Sequence, residues 1–109
     1  MLSSDKVKEI LSRIGVEKVL IEESSYDCVL ALTLYRGREM LIAIVQGEHA
    51  VYAKIVPAES TPLQYWKCGY IEYMPTGLYA FAKDLNKLVD KLKHKMDRVA
   101  KAEVRGIEA

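Results

Sequence analysis

Six of the nine aromatic residues lie within seventeen positions of one another, in a stretch interrupted by prolines and glycines. They are Tyr65, Trp66, Tyr70, Tyr73, Tyr79 and Phe81. The interruptions do not fit the regular alternation of a buried strand, so we expect several of these rings to reach solvent. Exposed rings stack on the bases of single-stranded nucleic acid, and cations beside them contact the phosphates. The stretch is therefore the first candidate for a binding surface.

Cations accompany the aromatic residues both in this stretch and in the region before it. The residues that we predict to contact nucleic acid are Tyr35, Arg36, Arg38, Tyr52, Lys54, Tyr65, Trp66, Lys67, Tyr70 and Tyr73. Stacking tolerates any base sequence, and no helix-turn-helix pattern for reading a duplex is present. Burial in the core is an equally good interpretation of Trp66, and about half of the tyrosines are expected to be structural. Tyr79 and Phe81 are assigned to packing.

The elements that must position these residues form an α+β fold. Ser3 or Ser4 is suited to cap a first helix that ends at Gly15. Strands are predicted at about 16–23, 27–36, 39–46 and 50–56, and a fifth at 67–73, as an antiparallel meander of four to five strands.

Within the meander, the short connection around Gly37 predicts a hairpin. Alternation along the second strand places Cys28, Leu30, Leu32 and Leu34 on one face, which we expect to point into the core. The opposite face would carry Thr33 and Tyr35 and, with Tyr52 and Lys54, be partly open to solvent.

A heptad pattern predicts one long C-terminal helix over 78–106. Leu78, Leu85, Leu92 and Val99 occupy d positions, and Ala82, Val89 and Met96 occupy a positions. We divide the chain into an α+β binding domain, 1–77, and this helix, 78–106. The first half would pack on the sheet, and the second half would form an intermolecular coiled coil through Leu85, Val89, Leu92, Met96 and Val99. A helix that stays on its own monomer is the alternative, and dimer and tetramer both remain open.

Composition limits the setting in which the protein works. The 109 residues suit one folded domain. With neither a signal peptide nor a run of eighteen apolar residues, the chain is predicted to be cytoplasmic and not to contact a membrane. Cys28 and Cys68 lack metal-site spacing and are expected to be reduced thiols. Asparagine and glutamine number only three against 31 charged residues, which favours a thermophilic source.

The overall net charge of +1 hides an uneven distribution along the chain. Residues 83–105 carry eight lysines and arginines and four acidic residues, a net charge of +4, whereas the remainder has a net charge of −3. A basic helix of this kind can attract polyanions, or it can simply be a solvated surface. The charge pattern is compatible with nucleic-acid binding.

The order of these features resembles the ThermoDBP family of single-stranded-DNA-binding proteins from hyperthermophilic archaea. The resemblance covers a leading helix, the strand meander, the segment Tyr65-Trp66-Lys67 and the C-terminal heptads. It implies single-stranded DNA, more than RNA, as the partner, bound with little sequence preference in an aromatic cleft. It also implies assembly through the C-terminal helices. The net acidic sheet region and the single lysine of the connecting segment depart from that pattern.

Catalysis is not indicated by the residues present. His49 and His94 have no nucleophile or metal partner nearby in sequence, and no glycine-rich phosphate loop occurs. We therefore predict a non-enzymatic protein without a cofactor or a metal. The alternative function is an oligomeric adaptor whose aromatic surface binds another protein, because tyrosine and tryptophan are also enriched in protein interfaces.

Overall fold

The first helix begins and ends where the sequence predicts. A computed structural model describes residues 2–102 and has α1 at Ser4–Ile14. Ser3 caps it, since its Oγ accepts a hydrogen bond from the Lys6 amide at 3.2 Å. Gly15 follows in the left-handed conformation, with φ 102°, and its N–H donates to the carbonyls of Leu11 and Ser12. No helix within residues 2–102 is long and apolar enough to cross a membrane.

Four strands of the predicted meander are confirmed. They are β1 Lys18–Ser24, β2 Cys28–Tyr35, β3 Arg38–Gln46 and β4 Val51–Pro57, each antiparallel to the next. The predicted hairpin joins β2 to β3 through Arg36 and Gly37, whose φ values are 52° and 78°. Two successive positive φ values match the right-handed twist of the flanking strands.

The fifth strand lies elsewhere than predicted. Residues 67–73, the predicted strand, contain instead the short helix α2, Cys68–Ile71. Residues 78–82, predicted to be helical, form β5, Leu78–Ala82, which pairs antiparallel with β4 and completes the sheet order β1-β2-β3-β4-β5. Leu78 and Ala82 fit a heptad, but residues two and four apart also share one face of a strand, so the pattern was ambiguous here.

The last helix, α3, spans Leu85–Ala102. Asp84 caps its start, because Asp84 Oδ1 accepts from the Lys87 amide at 2.9 Å. Four of its apolar side chains, those of Leu88, Leu92, Met96 and Val99, are buried against the sheet and α1 of the same chain. The predicted helix end at Gly106 lies outside the described residues. Association between copies through α3 stays a prediction.

Both faces of the sheet are covered, which corrects the predicted assignment of its faces. Val29, Ala31, Thr33 and Tyr35 lie on the face that packs against α1 and α3. The leucine face, with Leu30, forms a second and smaller core beneath residues 58–74, called here the cover segment. The cover segment also contains two 3-10 turns, Ala58–Ser60 and Leu63–Tyr65.

The register shows why the predicted solvent-facing set does not exist. Lys54 pairs with Ala43, which pairs with Leu30, so Lys54 lies on the leucine face. Tyr52 is in register with Val45 and lies on that face too. Tyr35 is on the opposite face, and the sheet separates it from Tyr52 and Lys54.

A disulfide joins the cover segment to the sheet. Cys28, at the start of β2, is bonded to Cys68, at the start of α2, with 6.5 Å between their Cα atoms. The prediction of two reduced thiols is therefore wrong. The two residues are forty positions apart in sequence, and only the return of the chain over the leucine face brings them together.

Candidate nucleic-acid interface

The ten predicted site residues lie in three separate places. Tyr35, Arg36 and Arg38 are at the β2–β3 turn, and Tyr52 and Lys54 are beneath the cover segment. The third group, within the cover segment itself, consists of Tyr65, Trp66, Lys67, Tyr70 and Tyr73. We consider the three groups in turn, because each has a different environment.

Side chains at the β2–β3 turn contact carboxylates. Tyr35 is only 3% exposed, and its hydroxyl donates to Asp97 at 2.5 Å. Arg36 lies 3.3 Å from the same carboxylate and stacks over the Tyr35 ring at 5.7 Å. Arg38 donates to Glu59 at 2.7 Å. Tyr35 is thus a core residue that anchors α3, and both arginines already contact an acid of this chain.

The hydrogen bond from Tyr35 lowers the pKa of Asp97, and the nearby ammonium of Lys93, 3.2 Å away, lowers it further. Burial of the carboxylate acts in the opposite direction but is outweighed. Asp97 is therefore a stable anion that links the end of β2 to α3.

Beneath the cover segment, Tyr52 and Lys54 make internal contacts. The Tyr52 hydroxyl donates to the Glu72 carboxylate, and burial together with this hydrogen bond raises the pKa of Tyr52. Lys54 is completely buried, and burial lowers its pKa. Neither its ammonium nor its stem is available to a phosphate from solvent.

The cover segment offers exposed rings but an unfavourable charge. Tyr65 and Tyr70 meet edge to face, 5.1 Å apart, and Tyr73 is largely in solvent. Trp66 instead packs on the smaller core and donates from Nε1 to the Thr61 carbonyl at 2.8 Å. A groove of about 460 Å³ beside Tyr70 is lined by Glu22, Glu23, Trp66, Lys67 and Gly69. Two carboxylates against one lysine disfavour a polyanion there.

A better combination of residues occurs where the sequence analysis predicted only packing. Tyr79 and Phe81 project from β5 with 37% and 56% of their surface exposed. Their rings are stacked 5.8 Å apart at 21°, and the Tyr52 ring lies 5.6 Å from Phe81. Because β5 is a strand rather than the first turns of a helix, these alternate residues share one face of it, the leucine face that also carries Tyr52 and Lys54.

Cations of α3 line the same groove as Tyr79 and Phe81. A groove of about 400 Å³ between β5 and α3 is lined by Tyr79, Ala80, Phe81, Asp90, Lys91, His94 and Lys95. We call it the β5–α3 groove. Lys91, His94 and Lys95 are three and four positions apart, the spacing of one helix face. That spacing and the alternation of Tyr79 and Phe81 are local sequence signals for the two sides of this groove, although neither signal shows that the two sides meet.

The two edges of the sheet differ in how they are protected. The outer strand β1 contains Lys18, Glu22 and Glu23 and a bulge after Ile21. Charges and bulges are the usual protection of an edge strand. The opposite edge strand, β5, is LYAFA and carries no charged residue. The β5 edge is thus the one better suited to contact another molecule.

Comparisons with known proteins assign no family to this chain. No protein-family model, no curated protein and no solved structure matches it. Within residues 2–102, no group of three or more histidine, cysteine or acidic side chains is arranged to hold a metal ion. The function is therefore inferred from the residues of the chain itself.

Proposed function

We propose that this protein binds single-stranded nucleic acid in the β5–α3 groove. The observation that carries the proposal is the exposed, stacked pair of Tyr79 and Phe81 beside Lys91, His94 and Lys95. Rings and cations of this kind are the two components of sequence-tolerant single-strand binding. The proposed role is binding, without a catalytic step.

Charge supports this location over the cover segment. Within α3, residues 85–102 carry six lysines and arginines against two aspartates, a net charge of +4. Asp90 is the one carboxylate that lines the groove, whereas the groove beside Tyr70 has two. Phosphates of a strand whose bases stack on Tyr79 and Phe81 would be attracted to the α3 side.

The resemblance to the ThermoDBP family favours single-stranded DNA as the polymer. The resemblance is based on the leading helix, the meander, the segment Tyr65-Trp66-Lys67 and the C-terminal heptads, and in this proposal its cleft would correspond to the β5–α3 groove. A cytoplasmic location and a thermophilic source belong to the same proposal. Disulfides are rare in the cytosol of most organisms but common in intracellular proteins of hyperthermophiles, so the Cys28–Cys68 bond is compatible with it.

A protein interface is the second candidate, and the unprotected β5 edge favours it. An edge strand without charges can pair with a strand of another chain. The self-association that the heptads predict would be an interface of this kind. Because Leu92, Met96 and Val99 are buried within one chain, copies would have to meet through β5 or the outer surface of α3. We expect such a complex to change little with salt.

Titration at two salt concentrations separates these candidates. Fluorescence anisotropy of labelled oligo-dT and of a matching duplex should show preferential binding of the single strand, weakening steeply as salt rises. Sedimentation at both salt concentrations measures self-association on the same samples. Salt-insensitive self-association without oligonucleotide binding would support the protein interface and exclude the nucleic-acid proposal.

A further inference from the structure

Lys54 is the one charged side chain that is buried among the described residues, and it lies directly beneath the aromatic surface of β5. Its Nζ contacts the carbonyl of Ile71 at 3.3 Å, the carbonyl of Met74 and the hydroxyl of Tyr79 at 3.4 Å. The same nitrogen is 4.4 Å from the centre of the Tyr79 ring. Lys54 therefore connects the turn after α2 to the inner side of a groove residue.

The hydrogen-bond partners of Lys54 suit an ammonium ion. The carbonyls of Ile71 and Met74 only accept, so each takes one N–H. The Tyr79 hydroxyl donates its hydrogen to the Glu72 carbonyl at 2.5 Å, and its oxygen lies 3.4 Å from Nζ, where a third N–H can point at it. Three such oxygens suit an ammonium ion, since a neutral amine has only two N–H groups. Its charge is balanced by carbonyl dipoles and the Tyr79 ring, since none of these three hydrogen-bond partners is a carboxylate.

The buried ammonium lowers the stability of the fold, and a role in ligand binding at the groove would explain why it is present. Burial disfavours the ammonium, and an apolar side chain of similar length would avoid that penalty. In return, Lys54 and Tyr79 together contact three carbonyl oxygens of one turn, those of Ile71, Glu72 and Met74. The ammonium lies 4.4 Å from the centre of the Tyr79 ring, and Phe81 stacks beside the same ring.

We propose that Lys54 is a positioning residue of the β5–α3 groove, which holds Tyr79 and residues 71–74 in the conformation that stacks on a base. This inference rests on the proposed function for its ligand. A ring that is already fixed loses less conformational entropy on binding than a ring that must first be ordered. Lys54 itself touches neither base nor phosphate, because it is completely buried.

Binding kinetics of Lys54→Met test the proposal. We expect the affinity for oligo-dT to fall roughly threefold to tenfold, as when the binding-competent conformation drops to between about a third and a tenth of the population. The fall should be in the association rate, with the dissociation rate unchanged. The slope of log affinity against log salt should also stay unchanged, because a buried lysine releases no counterion from phosphate. Lys18→Met, on the opposite edge of the sheet, is the matched control.

Tyr79→Phe supplies a second variant, which keeps the ring and removes only one oxygen. Its association rate should also fall, but by less than that of Lys54→Met. Equal association rates for wild type, Lys54→Met and Tyr79→Phe would overturn the proposal.

Amide hydrogen exchange without ligand distinguishes failure of this inference from failure of the proposed function. In Lys54→Met the amides of residues 71–79 should exchange faster, while those of β2 and β3 keep their wild-type rates. If wild type binds no oligonucleotide, the proposed function is excluded, and the exchange rates still decide whether Lys54 orders this turn. Wild-type exchange at residues 71–79 in Lys54→Met would show that it does not.

Discussion

Tyr35 and Asp97 show how a residue with the right chemistry for a binding surface can have a structural role. The Tyr35 ring is buried against α3, and its hydroxyl meets a carboxylate that also contacts Arg36 and Lys93. From the sequence, Tyr35 and Arg36 look like a ring and a cation available to nucleic acid. Their real partner is 62 positions away from Tyr35, where no local pattern indicates it.

The Tyr35→Phe variant should be less stable than wild type at pH 7 by about 1.5 kcal/mol. This is the lower end of the range for a hydrogen bond to a charged group, and it applies here because the Asp97 side chain is a third exposed. The pKa of Asp97 is lower in the folded state, so its stabilising contribution is present above the unfolded pKa and is lost as pH falls through the folded pKa. The difference between variant and wild type should therefore be smaller at a pH well below the ordinary pKa of aspartate than at pH 7. Urea unfolding at both pH values measures it, and an equal difference at both would contradict this role for Asp97.

At the scale of elements, the start of the last helix was the least predictable feature. The heptads extend back to Leu78, but β5 and the turn at Asp84 occupy residues 78–84. The strands from Lys18 to Pro57 were predictable because alternation and turn residues are local signals. The cover segment was not, since its position depends on the Cys28–Cys68 bond and on contacts with the leucine face.

Leu92 tests whether α3 is stabilised within one chain. Leu92→Ala should lower the free energy of unfolding by about 2–5 kcal/mol, as expected for a large buried side chain. Lys91→Ala, at the neighbouring exposed position, should change it little. The unfolding midpoint of wild type should be independent of protein concentration. A midpoint that rises with concentration would indicate that Leu92 and its heptad partners are buried between copies instead.

At the scale of the whole molecule, two layers cover the two faces of the sheet, and β5 forms one of its edges. Helices α1 and α3 cover one face, and the cover segment covers the other. Sequence patterns were sufficient for the α+β class and for exposed rings at Tyr70 and Tyr73. They could not show which candidates converge, because face and register are set by pairing between distant residues, as for Lys54 and Ala43. The groove that combines rings with cations was therefore found only in three dimensions.

Two single variants at exposed aromatic positions decide whether nucleic acid binds in the β5–α3 groove. Phe81 and Tyr26 are both exposed aromatic residues, but Tyr26 lies in the β1–β2 connection, away from β5. In oligo-dT titrations at low salt, Phe81→Ala should weaken binding by about 1–3 kcal/mol, the contribution of one base stacked on an aromatic ring. Tyr26→Ala should bind as wild type does. Wild-type affinity in Phe81→Ala would contradict the assignment of nucleic-acid binding to the β5–α3 groove.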